Sequence, residues 1–314
     1  MMKITPVAEK SGIATVYIAE TDNGDTFEFV ESLQPPLTRE EKWILTLSTL
    51  FQCPIGCPMC DASGHYRGKL SKSQLLAQVE HCVRRYYPSM RVPSQKFKIQ
   101  FARMGEPSLN PAVLDVLREL PTLLDAPGLL PSLSTVAPHG REDFFAQLLE
   151  IKEQLYDNGR FQLQFSIHTT DLALRDQLIP IRKWNFAQIA DYGQQFYKPG
   201  ERKITLNFAL AQNSPIDPQI LKSYFSPDLY LIKITPLNPT YRAHEHQMTS
   251  YLQAEHNAAT DPLIDKLRDV GFEVIVSIGE IIENQIGSNC GQYIERHRKS
   301  SSQLVDGYAD CTTT

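Results

Sequence analysis

The stretch WILTLSTLFQCPIGCPMC, residues 43–60, runs from an apolar, β-rich segment into three cysteines at positions 53, 57 and 60. Its first part, WILTLS (43–48), reads as a strand. Three thiols within eight residues, in a chain with six cysteines in all, call for a chemical reason. Soft thiolates select zinc, copper(I) or iron–sulfur clusters. Structural zinc takes four protein ligands, usually as two separated pairs, and no second Cys or His pair stands at finger-like spacing here. A four-iron cluster held by three cysteines instead leaves one iron open to a small molecule. The trio also falls just after a strand, at the end where barrel active sites lie. A zinc knuckle is the competing reading.

Working outward, five more β-rich runs follow: FKIQFA (97–102), LPSLST (130–135), FQLQFSI (161–167), KITLNFAL (203–210) and LYLIKIT (229–235). Helix-period segments lie between them, among them 71–87, 110–120 and 141–155, the first two opening on a residue suited to an N-cap. Strands alternating with helices imply a mostly parallel sheet with right-handed crossovers. The expected fold class is α/β, an open partial (β/α)6 barrel. Ahead of it, residues 14–32 read as a hairpin around Asp22-Asn23-Gly24-Asp25, and residues 261–278 as a last helix and strand. The expected organisation is a β-hairpin extension over 1–40, a core with its C-terminal extension over 41–295, and a polar, mobile tail over 296–314.

Composition sets bounds on function. The 314 residues are 42% hydrophobic and 21% charged, ordinary values for a globular protein. The opening residues lack a signal-peptide core and no stretch is apolar for the length of a membrane span, so a cytoplasmic protein without a membrane partner is expected. There thiols stay reduced and clustered cysteines hold metal or do chemistry. A net charge of −5 gives no global field that attracts nucleic acid.

Cys-x-x-x-Cys-x-x-Cys after the first barrel strand resembles the cluster motif of the radical S-adenosylmethionine (SAM) superfamily, with Met59 where an aromatic residue is usual. Further segments, in order, resemble the RlmN/Cfr-type RNA adenine methyltransferases: ARMGEPSLN (102–110), LSTVAP (133–138), FSIH (165–168), LRDQLIPIRKWN (174–185), ITPLNP (234–239) and SNCGQ (288–292). The resemblance implies a [4Fe-4S] cluster on Cys53, Cys57 and Cys60, and SAM held by Gly105, Glu106, Ser134, Ser166, His168 and Asn238. It also implies that Cys290 is methylated and carries the one-carbon unit, as a thiolate can. Glu28 aligns with the family's proton acceptor. The family's default substrate is RNA, and its electron donor a flavodoxin or ferredoxin.

The resemblance spans about residues 13–295 and departs at one informative point. Where the family has a second cysteine that resolves its intermediate, this chain has Thr46, whose hydroxyl cannot form a disulfide. Cys311 could substitute, or the scaffold could run a different radical reaction on a peptide or small molecule. Cys82 reads as a buried apolar residue. A non-catalytic metal-binding module is the reading from outside enzymology.

Overall fold

Side chains alternate across a strand, and in Lys42–Leu47 this period puts Trp43, Leu45 and Leu47 on one face, each fully buried. Ile44 and Thr46 take the other face. This asymmetry recurs along the sheet and gives it an apolar side for helices and a polar side for a cavity.

The computed structural model describes residues 2–252 and 261–309. Its strands are β1 (Lys3–Lys10), β2 (Ala14–Glu20), β3 (Thr26–Ser32), β4 (Lys42–Leu47), β5 (Leu50–Phe51), β6 (Gly68–Lys69), β7 (Lys96–Phe101), β8 (Leu129–Thr135), β9 (Gln162–Ser166), β10 (Ile204–Leu210), β11 (Tyr230–Pro236) and β12 (Glu273–Val276). All but β5 and β6, which pair with each other, form one sheet in the order β1-β2-β3-β4-β7-β8-β9-β10-β11-β12. From β4 onward every neighbour is parallel. The six barrel strands read from sequence are all there, and the last strand expected within 261–278 is β12, a seventh parallel one. The ends of the sheet do not pair with each other, so it is open.

Helices α1 (Lys72–Tyr86), α2 (Ala112–Leu123), α3 (Glu142–Leu155), α4 (Leu172–Leu178), α5 (Phe186–Phe196), α6 (Pro218–Tyr224), α7 (Tyr241–Glu245) and α8 (Pro262–Asp269) lie in the connections between parallel strands. α1 starts where the sequence indicates: Ser71 accepts from the Gln74 amide while Gln74 reaches back, a capping box. One apolar core joins the outer face of the sheet, including Trp43, Phe97, Phe165 and Phe208, to helix residues such as Leu75, Val79, Leu117 and Phe145. Two short helices follow, α9 (Ile281–Gln285) and α10 (Ile294–Lys299).

Two boundaries differ from expectation. The N-terminal hairpin is a three-stranded antiparallel unit, because β1 pairs with β2, and it continues the main sheet through β3–β4. In β1 only Ala8 is buried, so the run lacks the alternation that marks a strand in sequence. The stretch expected to be a mobile tail is anchored as far as Tyr308, which is fully buried and stacks on Tyr241 at 5.3 Å between ring centroids. Its hydroxyl donates to Asp61 at 3.1 Å, a buried partner far away in sequence. Cys311 lies outside the described residues.

Candidate active site

The inner face of the parallel strands surrounds one cavity of about 520 Å3, lined by Thr46 of β4, Gln100 of β7, Ser134 of β8, Ser166 of β9, Asn207 of β10 and Lys233 of β11. The loops at the strands' C-terminal ends close over it. Of the residues singled out in sequence, Cys53, Cys57, Cys60, Gly105, Glu106, Ser134, Ser166, His168, Asn238 and Cys290 all line this cavity. Glu28 does not.

The three cysteines share one wall. Backbone amides of Ile55 and Glu106 are directed at the Cys53 thiol, and those of Ala62 and Ser63 at Cys60. Burial raises all three thiols, Cys60 to about 12; Cys60 adds to the rise at Cys53 and Cys57, whereas at Cys60 itself the added charges are Cys290 and Asp61. Such thiols stay protonated until a cation takes them. Among the described residues no group of three His, Cys, Asp or Glu side chains is arranged for a single metal ion. A cluster is larger than one ion and holds its ligand sulfurs farther apart. The donor set also fits an anionic cluster in that its amides point at sulfur. Ser63 Oγ, buried on the same wall and without a hydrogen-bond partner, adds one more unspent polar group.

Glu106 faces the cavity from the loop after β7 and is held by four donors. Its Oε1 accepts from Ser108 N at 3.1 Å, Ser108 Oγ at 2.7 Å and Thr135 Oγ1 at 2.5 Å. Its Oε2 accepts only from Val136 N, at 2.9 Å, and keeps capacity for one more donor such as an ammonium. Burial raises its pKa, and the bonds from Thr135, Val136 and Ser108 oppose the rise. Thr135 is a functional residue the sequence reading passed over in favour of its neighbour Ser134. The two point opposite ways: Ser134 Oγ accepts from Gln164 Nε2 at 3.1 Å on the cavity side, while Thr135 supports Glu106.

Gly105 has a reason other than room for a ligand. Its φ is +98°, and a Cβ there would stand 2.5 Å from Leu50 Cγ and 2.9 Å from the Leu50 backbone nitrogen. Across the cavity, His168 Nδ1 accepts from the Ala209 amide at 3.1 Å, which leaves the proton on Nε2. Burial, and then the charge of Arg175, pull its pKa down to about 4, so it is a neutral hydrogen-bond donor.

Cys290 sits on a loop that several groups pin. Its thiol donates to the Ala102 carbonyl at 3.5 Å, and Asn238 Nδ2 donates to its backbone carbonyl at 2.6 Å. Asp61 N, next to Cys60, donates to Gly291 O at 2.7 Å, so the Cys290 loop lies against the cysteine trio. The Arg103 guanidinium bonds the carbonyls of Gly287, Ser288 and Asn289. Cys290 is exposed to the cavity; the surrounding protein raises its thiol through desolvation, and the positive charges of Arg103 and Lys233 pull it back.

Glu28 is fully buried behind this loop. One carboxylate oxygen pairs with Arg103 at 2.5 Å and the other accepts from the Ile294 amide at 2.8 Å. It holds Arg103, and Arg103 holds the Cys290 loop. Glu28 thus stands behind the cavity wall, not on it, and its expected part as a proton acceptor stays an expectation. Arg103 stands inside the quoted ARMGEP motif, and only a third dimension shows what it grips.

The fold is shared with a radical SAM methyltransferase from Sphaerobacter thermophilus, at a TM-score of 0.68 and 20% identity over 92% of this chain and 80% of that one. In sequence the chain is 27% identical over 231 residues to "Probable dual-specificity RNA methyltransferase RlmN" of Desulfitobacterium hafniense, covering 69% of this chain and 60% of the relative. It is 28% identical over 206 residues to "Dual-specificity RNA methyltransferase RlmN" of Helicobacter hepaticus, covering 62% and 53%. These likenesses bear out the resemblance to the RlmN/Cfr type. The matches span 60% or less of the length of these relatives. No family model matches the chain.

Proposed function

We propose that this protein is a radical SAM methyltransferase that transfers a methyl-derived carbon to an sp2 carbon through Cys290. One observation carries the reading: Cys290, the cysteine trio, Glu106 and His168 open onto a single cavity at the C-terminal ends of parallel strands. In this reading the seven parallel strands act as an open (β/α)6 barrel with one added strand.

Cys53, Cys57 and Cys60 would hold a [4Fe-4S] cluster, which supplies the single electron that cleaves SAM to methionine and a deoxyadenosyl radical. Glu106 Oε2 takes the SAM ammonium through its remaining lone pair. Ser134, Ser166 and His168 Nε2 offer hydroxyl and imidazole donors along the same wall. Cys290 accepts a methyl group from one SAM as the thiol loses its proton, forming a thioether and leaving S-adenosylhomocysteine. The radical from a second SAM would take a hydrogen from the S-methyl group, giving deoxyadenosine and a carbon radical that adds to the substrate. Breaking the remaining bond to Cys290 sulfur would then need a second thiol, for which Cys311 is the candidate. RNA is the substrate the RlmN likeness suggests, and a one-electron donor such as flavodoxin or ferredoxin is required. No helix among the described residues is long and apolar enough to cross a membrane.

Thr46 favours a second reading. It lines the cavity at the position of the family's resolving cysteine, and a hydroxyl cannot resolve a thioether intermediate by disulfide formation. A radical reaction on a peptide or small molecule without methyl-cysteine fits that wall. Anaerobic reconstitution with iron, sulfide, SAM and a strong reductant separates the two. Deoxyadenosine together with methylated Cys290 supports the first, and Cys290→Ala should then keep SAM cleavage while product methylation disappears. Deoxyadenosine without methyl-Cys290 supports the second. Neither product, in protein that has bound its cluster, returns the chain to a metal-binding module.

A further inference from the structure

Strands β3 and β4 border a second cavity on their other face. Ile44 and Thr46 line the large cavity, whereas Trp43, on the opposite face of β4, lines a separate one of about 290 Å3. Glu31 stands opposite Leu45 in the β3–β4 ladder and so shares the Trp43 side. Arg39, just before β4, and Tyr86, at the end of α1, join them on the wall. The turn between β1 and β2 adds Glu9 and Lys10. Ile13, Ser32 and Leu33 line both cavities, so the two adjoin there.

The carboxylates here are already matched within the protein. Arg39 Nη2 stands 3.7 Å from Glu31 Oε2, and Arg85 reaches Glu31 Oε1 at 3.5 Å and Glu9 at 4.0 Å. Glu31 Oε1 also accepts from the hydroxyls of Tyr17 and Tyr86, at 2.5 and 3.1 Å. One acceptor and two donors are left over. Glu31 Oε2, Arg39 Nε and Trp43 Nε1 are buried and have no hydrogen-bond partner among the described residues. Unpaired buried polar atoms are costly and rare, and three of them belong to side chains lining one small cavity. Flat surfaces border it as well: the Arg39 guanidinium lies 3.5 Å from the centroid of the Tyr86 ring and 5.3 Å from that of Trp43.

We propose that Glu31, Arg39, Trp43 and Tyr86 form a binding site for a small, neutral, planar group that carries an N–H beside a C=O. The edge of a nucleobase and a primary carboxamide share this chemistry. The N–H donates to Glu31 Oε2, and the carbonyl accepts from Trp43 Nε1 and Arg39 Nε. Matched carboxylates call for no cation, and the guanidinium and aromatic planes suit a stacked ring. Small-molecule pockets run from about 300 to 1,000 Å3, so this one suits a single base or ring. The site stands whether or not the proposed function does, because none of its four residues lines the cavity of the three cysteines.

The test is isothermal titration calorimetry on the reconstituted full chain, with uridine and separately with nicotinamide. At least one should bind saturably at a single site, and which one does so names the source; binding of both would show that the shared edge is what is read. Methylating the ligand's N–H, in uridine methylated at its ring nitrogen or in N,N-dimethylnicotinamide, should weaken binding tenfold or more. Trp43→Phe removes an unpaired donor, so it should keep the fold, checked by circular dichroism, and weaken binding at least fivefold. Glu31→Gln should weaken it further, since the two tyrosines hold the amide oxygen and turn its NH2 to the ligand. Lys222→Gln, exposed on α6, should change nothing. No saturable binding of either probe overturns the site, water alone then meeting the three atoms. Binding that survives both Trp43→Phe and Glu31→Gln overturns it too, as does equal binding of the methylated probes, which would be stacking alone. So does displacement by saturating SAM, which would place the probe in the large cavity.

Discussion

Arg103 and Glu28 meet at 2.5 Å in an ion pair with no exposure at either side chain, directly behind the loop that carries Cys290. Through Nη1 and Nη2 the guanidinium also donates to three carbonyls of that loop, while its buried Nε has no hydrogen-bond partner, so a single side chain ties β3 to the loop of Cys290. Removing one partner of a buried pair strands the other charge and costs about 3–5 kcal/mol. Arg103→Met should lose that much stability in urea unfolding above pH 7, where Glu28 is ionised. Glu28→Gln combined with Arg103→Met should lose less than the sum, because no charge is left uncompensated. The loss of methyl transfer in Arg103→Met should exceed any loss of SAM cleavage, since the cysteine trio does not depend on this clamp.

Glu28 also sets a pH dependence. Burial raises its pKa from 4.5 to about 7, against the opposing pull of Arg103. Between those values the folded protein holds a proton that the unfolded chain has released. Stability therefore falls as pH rises across that window, with Glu28 contributing up to about 3 kcal/mol. Glu106 and Asp61 are raised as well and slope the same way. The quantity to measure is accordingly the difference between the parent and Glu28→Gln from pH 4.5 to 7. The variant should show the shallower slope, and equal slopes would mean that the pair stays ionised throughout.

Glu106 and Thr135 separate direct from indirect contributions to SAM binding. Glu106→Gln removes the anionic acceptor, and a lost charged hydrogen bond of about 2 kcal/mol weakens SAM binding roughly 30-fold. Thr135→Val leaves the carboxylate its two bonds from Ser108 and its bond from Val136. It should cost about 1 kcal/mol, roughly fivefold. Equilibrium binding of SAM to the reconstituted protein checks both. Equal losses would mean that Glu106 never meets the ammonium.

What could be read from sequence follows the physics of each signal. The parallel strands were legible because alternation survives in runs such as FKIQFA, and the cysteine trio because three thiols at fixed spacing have few explanations. β1 was not legible: it buries one side chain, and its pairing with β2 is specified by backbone bonds that leave no pattern. Tyr308 looked like part of a polar tail because its partners, Asp61 and Tyr241, are distant in sequence. Glu28 was found by alignment, yet its role depends on Arg103, and no spacing rule joins the two.

Gly105 offers a last discrimination between a ligand's demand and the fold's. A glycine in a SAM-binding motif is readily credited to close approach of the cofactor, and that account predicts that Gly105→Ala weakens SAM binding while leaving stability intact. The geometry predicts the reverse order of effects. A methyl group there meets Leu50 Cγ at 2.5 Å and the Leu50 backbone nitrogen at 2.9 Å, at a φ of +98° that side chains disfavour. Left-handed backbone costs about 1–3 kcal/mol for a residue other than glycine, before any overlap is counted. Gly105→Ala should therefore lower the urea midpoint of the protein without SAM or cluster. Leu50→Ala should restore only part of the loss, because the backbone nitrogen stays where it is. Full rescue by Leu50→Ala would assign the whole cost to one side chain, and an unchanged midpoint would return Gly105 to the cofactor.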